Sequence, residues 1–226
     1  MSQSNLEPPY TGGLAILIDP ALMGGKGRGI FVAPAHQITD ADVVTMVAEG
    51  MGVCTITINE STAMRLGLHP QGNPTAADEP YFVNSVEAVA CTETGISARE
   101  RAITLRAIGS PDVVRADLAS PGHIMVQVAR NVLRNGATLP ETANALLSAL
   151  GLTRFAAWTD ILDRAGEVGD ADHCRALGQR LGLACYDAQA ARQFAREKLP
   201  AWDAVVRFSE AHFSATESPQ NGHSSN

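Results

Sequence analysis

The residues most able to do chemistry lie in three short segments near the middle of the chain. Thr92-Glu93-Thr94-Gly95-Ile96-Ser97-Ala98-Arg99-Glu100-Arg101 sets a Thr-Gly turn directly ahead of a helix that Ser97 can cap. The free N–H groups at such a helix start form a seat for an anion, and the plainer reading is a well-capped helix. Asp117-Leu118-Ala119-Ser120-Pro121-Gly122-His123 delivers a histidine from a Pro-Gly turn into a strand. A histidine so placed serves either proton transfer or a structural hydrogen bond. Arg134-Asn135-Gly136-Ala137-Thr138 follows a strand and precedes a helix, with cation, glycine and hydroxyl in the arrangement that holds a phosphate. Nearer the N-terminus, Leu22-Met23-Gly24-Gly25-Lys26-Gly27-Arg28-Gly29 follows an apolar run. Its backbone can cradle an anion, or it can simply be a hairpin joining two strands. Gly27, rather than Ser or Thr, follows Lys26, which argues against a nucleotide-binding P-loop.

Alternating strands and helices must position these segments. Strands are predicted over 14–18 and 29–33 on either side of the glycine loop. A helix capped by Thr39 follows, carrying Val43, Val44, Met46 and Val47 and ending at Gly50 and Gly52. The β-branched run Val53–Ile58 reads as a buried strand, and a helix runs from Asn59 through Leu66. Residues 68–80 form a polar loop, 81–89 a strand, and 98–108 a helix. Short strands are expected at 125–128 and 132–133, then a helix from Leu139-Pro140-Glu141 to Leu150. A strand at 155–161, a helix at 171–181, a strand at 183–186 and a helix from Asp187 complete the pattern. This is one α+β domain, a mixed sheet with surrounding helices, over residues 13–213. Residues 1–12 form an N-terminal extension, and the Ser/Asn/Gly-rich tail 214–226 reads as disordered.

The bulk properties narrow the function classes. With 226 residues, 45% hydrophobic and 18% charged, the composition is that of a globular protein with a proper core. A net charge of −7 without a basic stripe excludes nonspecific nucleic-acid binding, and leaves Lys26 and Arg28 as a local cationic spot suited to a small anion. The start of the chain has no apolar core of a signal peptide, and no run approaches the roughly 18 apolar residues of a membrane span. Cys54, Cys91, Cys174 and Cys185 form no C-x-x-C pair and suit buried thiols in a reducing compartment. The expectation is a cytoplasmic chain with no membrane partner.

In this order and spacing, the three segments resemble the 3,4-dihydroxy-2-butanone-4-phosphate synthase family, which converts ribulose 5-phosphate to a four-carbon phosphate plus formate in the riboflavin pathway. Thr94-Gly95-Ile96-Ser97-Ala98 through Arg101 matches the family's T-G-[IV]-S-A-x-[DE]-R run, and Pro121-Gly122-His123 its P-G-H turn. Arg134, Gly136 and Thr138 match its R-G-G-H-T segment. The resemblance spans roughly residues 13–194 and implies an α+β fold and a homodimer with active sites near the subunit interface.

Departures from the family pattern are concentrated at the metal. Where the family has D-D-E-D-R-E-N-E-G-D, only Asp19 and Gly27 persist in a loop of the same length. The family's substrate-gripping arginine falls on Met23, its metal-ligating glutamate on Gly24 and its closing aspartate on Arg28. The metal-ligating histidine of R-G-G-H-T falls on Ala137. Two extra residues near Leu139-Pro140 separate Glu141 from the glutamate of the family's H-T-E. The family's late acidic residue aligns with Asp160, and Glu93 replaces a threonine.

The resulting expectation is a metal-independent enzyme without cofactor, acting on a small anionic substrate such as a sugar phosphate or keto acid. Its chemistry would be proton abstraction beside a carbonyl, leading to elimination, isomerisation or carbon–carbon cleavage. His123, Asp160 and Glu93 are the acid/base candidates. Arg134, Gly136, Thr138, Thr94, Lys26, Arg28 and Asp19 are the binding candidates, with the cations standing in for metal charge. The alternatives are the ordinary synthase reaction and a non-catalytic binding homologue.

Overall fold

The computed structural model describes residues 10–72, 79–153 and 155–199. The first nine residues of the predicted extension and the predicted tail at 214–226 lie outside them. Aliphatic and β-branched runs form seven strands: β1 (Ala15–Asp19), β2 (Arg28–Pro34), β3 (Thr55–Asn59), β4 (Tyr81–Ala88), β5 (Leu118–Ala129), β6 (Ala156–Asp160) and β7 (Cys185–Asp187). They make one sheet in the order β4-β5-β3-β6-β2-β1-β7. The β3/β5 and β1/β7 pairs are parallel and the others antiparallel, which makes the sheet mixed, as expected.

Six α-helices cover the two faces: α1 (Asp40–Thr45), α2 (Glu60–Arg65), α3 (Ala98–Gly109), α4 (Leu139–Ala149), α5 (Ala171–Leu181) and α6 (Ala188–Lys198). Each begins where the chain supplies an oxygen for the free N–H groups. Thr39, Asn59, Ser97, Thr138, Asp170 and Asp187 each accept a hydrogen bond from the first turn. Alternation along the strands sends Ile16, Phe31, Ile56, Ile124 and Val126 to one face, against Leu105 and Ile108 of α3 and Leu177 of α5. Leu17, Ile30 and Trp158 point to the other face, against Leu139, Ala143 and Leu147 of α4 and Ala188 and Ala191 of α6.

Three local expectations need correction. The Thr39-capped helix is α-helical only to Thr45 and widens into a π-turn at Met46–Gly50, ending on Met51 in the left-handed region at φ 59°. The strand expected at 125–128 begins seven residues earlier, so Pro121-Gly122-His123 lies inside β5 rather than in a turn before it. Gly122 makes this pairing possible, because a Cβ there would stand 2.0 Å from the Val86 carbonyl carbon. Register shifts between Val83 and Glu87 of β4 absorb the irregularity. Finally, 132–133 is a turn in which Arg134 N–H donates to the Asn131 carbonyl. Val132 is apolar because it packs against Ala129, Ala145 and Ala195.

The strand registers define the end of the sheet that matters for function. Asp19 pairs with Arg28, Ile30 with Asp160, and Thr55 with both Trp158 and Met125. Stepping two residues from that Thr55 level brings Asp160 and His123 to the same sheet end, on the same face. Only β3 lies between them, at two strand spacings or about 10 Å.

Candidate functional site

The polar residues at this sheet end form two corners. At the first, His123 of β5 meets Glu87 of β4, with Nδ1 3.1 Å from Oε2. The histidine is 42% exposed and the glutamate 24%. The Thr94-Gly95 turn lies over this pair. A Cβ on Gly95 would stand 2.1 Å from Glu87 Oε2 and 3.2 Å from His123 Nδ1, and its φ is +75°. Only glycine fits there for both reasons.

The turn is held in place by Glu100 of α3, which is 3% exposed. Its carboxylate accepts the backbone N–H groups of Thr92 (3.0 Å), Glu93 (2.7 Å) and Gly95 (2.8 Å). The bond from Glu93 contributes most to holding the Glu100 carboxyl below the ordinary carboxylate range, against the opposing effect of burial. Thus the N–H groups of this loop face a carboxylate inside the protein, and those three are not free for an external anion. Thr94 and Glu93 are exposed on the same loop. Among the described residues, no hydrogen bond or ion pair ties the Glu93 side chain to His123. Next to the loop, Arg101 Nε donates to the Ile96 carbonyl at 2.8 Å, and its Nη1 lies 3.8 Å from Cys54 Sγ. Burial pushes the Cys54 thiol up from its usual value despite this cation. Cys174 is pushed up to about 11 by burial, and both are buried free thiols as expected, whereas Cys185 is exposed.

The second corner gathers the remaining candidates. Arg28 of β2 forms an ion pair with Asp160 of β6, the two side chains being 32% and 35% exposed. Asp19, almost fully buried, pairs with Arg192 Nη1 at 2.8 Å and accepts the Ala21 N–H at 3.0 Å. Arg192 also donates to Thr142 Oγ1 and to the Ala137 carbonyl, each at 2.9 Å, and so fastens α6 to the 134–138 loop. Within that loop Arg134 makes a two-pronged bond to Glu141, 3.1 and 3.0 Å, and Glu141 is fully buried. Thr138 caps α4 and donates from both N–H and Oγ1 to Glu141. Gly136, at φ +76°, turns the loop with open space around it. Lys26 is exposed at the tip of the glycine loop.

Sequence reasoning therefore named residues that the fold collects at one sheet end, and missed four that organise them. Glu87, Glu100, Glu141 and Arg192 are the partners of the named residues. Ser97-x-x-Glu100 is a capping-box pattern readable in advance, as is Thr138-x-x-Glu141. Glu87 and Arg192 act across strands and helices and have no local signal.

Comparison with known proteins places this geometry in a family. The sequence profile for 3,4-dihydroxy-2-butanone 4-phosphate synthase matches residues 10–191. The chain belongs to this synthase family. A riboflavin biosynthesis protein RibBA from Bacillus velezensis is 30% identical over 179 residues, 77% of this chain and 44% of that protein. A 3,4-dihydroxy-2-butanone 4-phosphate synthase from Vibrio cholerae is 31% identical over 106 residues, 46% of this chain and 49% of that protein. A RibBA of Bacillus cereus is 37% identical over 106 residues, covering 26% of its length, so the match spans at most about half of these curated relatives. Among solved structures, the Candida albicans synthase superposes with a TM-score of 0.71 at 23% identity, covering 80% of this chain and 90% of that one. A synthase in complex with two magnesium ions gives 0.69, also at 23% identity, with 80% and 89% covered. These structures share the synthase fold. No helix among the described residues is long and apolar enough to cross a membrane.

Proposed function

We propose that this family member performs acid–base chemistry beside a carbonyl on a small anionic substrate, a sugar phosphate or keto acid, without Mg²⁺. The observation that carries the reading is the His123–Glu87 pair beneath the Gly95 turn, at the sheet end where Asp160 also lies. A half-exposed imidazole with a carboxylate on one nitrogen can take a proton from carbon at the other. Asp160 becomes a second acid/base group when an anion draws Arg28 away from it. Lys26 and Arg28 provide positive charge for a developing enediolate. Glu93 is the third acid/base candidate, and Thr94 a hydroxyl that a substrate can reach.

The side chains present do not fit a magnesium site. Mg²⁺ takes hard oxygen ligands in an octahedron. The positions where the resemblance implies its ligands hold Gly24 and Ala137, which have no donor, and the Ala137 carbonyl is bound to Arg192. Among the described residues, no group of three His, Cys, Asp or Glu is placed to hold a metal ion.

We further propose a cytoplasmic homodimer. Val53 and Ile96 are 62% and 48% exposed near His123, and Phe82 is 37% exposed further along β4, apolar side chains that a second copy would cover. Sedimentation velocity tests this, with a single species of twice the chain mass expected. A second reading, the synthase reaction itself, is favoured by the names of the relatives. Formate release from ribulose 5-phosphate separates the two. The first reading expects none, with Mg²⁺ or with a chelator, and release that requires Mg²⁺ establishes the second.

A further inference from the structure

We infer that Glu87 is a positioning residue that fixes the tautomer of His123, so that Nδ1 carries the proton and Nε2 presents its lone pair outward. The contact is between Nδ1 and a carboxylate oxygen, 3.1 Å apart. An ionised carboxylate only accepts, so the neutral imidazole must place its hydrogen on Nδ1 to make this bond. Nε2 has no protein hydrogen bond among the described residues, and the side chain is 42% exposed. That leaves Nε2 as the nitrogen able to receive a proton from outside.

Two independent features of the backbone hold Glu87 in place. Gly122 lets β5 touch β4 at the Val86–Glu87 register shift, which brings the two side chains side by side. Gly95 lies against the carboxylate so closely that a Cβ there would displace it. The loop carrying Gly95 is tied to Glu100, a separate carboxylate, so Glu87 is not needed to hold the loop. The one side-chain hydrogen bond of Glu87 among the described residues is to His123.

The inference deepens the reading of His123 as a proton carrier, yet its test needs no substrate and no turnover. Nitrogen-15 NMR of the full chain, with the His123 signals assigned by their loss in His123→Gln, reads directly which ring nitrogen is protonated in the neutral imidazole. The wild type is expected to show the Nδ1–H form in excess. Glu87→Ala is expected to lower the ratio of Nδ1–H to Nε2–H about fivefold, the worth of one ordinary hydrogen bond, and Glu87→Gln less. Gly95→Ala should move the ratio the same way by pushing the carboxylate aside. An Nε2–H form in the wild type, whose His123 signals can also be assigned by through-bond correlation to the backbone if no variant folds, would overturn the inference. So would a ratio left unchanged by Glu87→Ala.

Discussion

At the His123 corner the imidazole is half-exposed and bonded on one nitrogen only, whereas at the Arg134 corner Arg28, Arg134 and Arg192 each already hold a carboxylate. The difference comes from where the carboxylates lie. Glu141 is fully buried on the first turn of α4, and a buried carboxylate needs a cation and hydrogen bonds to offset its lost hydration. Arg134 and Thr138 provide both, so residues that read as a phosphate seat first serve to hold the helix start together. Glu100 has the same effect on the Thr94-Gly95 turn, but through backbone groups, which leaves the side chains of Thr94 and His123 facing outward. Glutamates therefore tie up side chains in one corner and backbone groups in the other, where side chains stay accessible.

The contrast can be broken most severely at Gly122. Gly122→Ala forces a Cβ into the Val86 backbone and should lower stability by more than about 3 kcal/mol, read as a fall in the urea midpoint. Arg134→Met leaves Glu141 buried without its cation and should cost about 3 kcal/mol by the same measurement. A cost near zero would mean that Arg134 is a ligand-binding residue rather than part of the frame. Gly95→Ala should cost about 2 kcal/mol, from the left-handed backbone and the contact with Glu87. The Glu100 clamp also responds to pH. Its carboxyl sits lower in the folded chain than the unfolded value near 4.3. Its contribution is therefore complete above that pH and is lost as the pH falls through the folded value. Protection of the Glu93 and Gly95 amides, relative to their intrinsic exchange rates, should fall in that acid range, and Glu100→Gln should show the lower protection already at neutral pH. The smallest effect belongs to Arg28→Met. Its half-exposed pair with Asp160 is worth less than about 1 kcal/mol, so thermal stability should hardly change.

Much of this frame was legible in the chain itself. The β-branched run at 53–58 and the capped starts at Thr39, Ser97 and Thr138 announce their elements, and two of the three motif segments, Thr94-Gly95 and Pro121-Gly122-His123, do meet. What escaped was non-local. No periodicity shows that β5 extends back through Pro121 and Gly122, because the reason is the approach of β4, a strand 35 residues earlier in the chain; the same distance separates Ser120 from Ser85, whose carbonyl it bonds. The apolar pair Val132-Leu133 mimics a strand but anchors a turn. The arginines read as cations because a sequence does not show which carboxylate each one meets.

Solvent exchange reads proton transfer by His123 without knowledge of the product. A panel of phosphorylated ketoses and 2-keto acids, ribulose 5-phosphate among them, would be incubated with the full chain in D₂O and a chelator and followed by proton NMR. The hydrogen beside the carbonyl of at least one compound should be replaced by deuterium without divalent metal, and His123→Gln should abolish the exchange while the fold is retained. Exchange that appears only with added Mg²⁺, or that persists in His123→Gln, would contradict the proposed metal-free proton transfer.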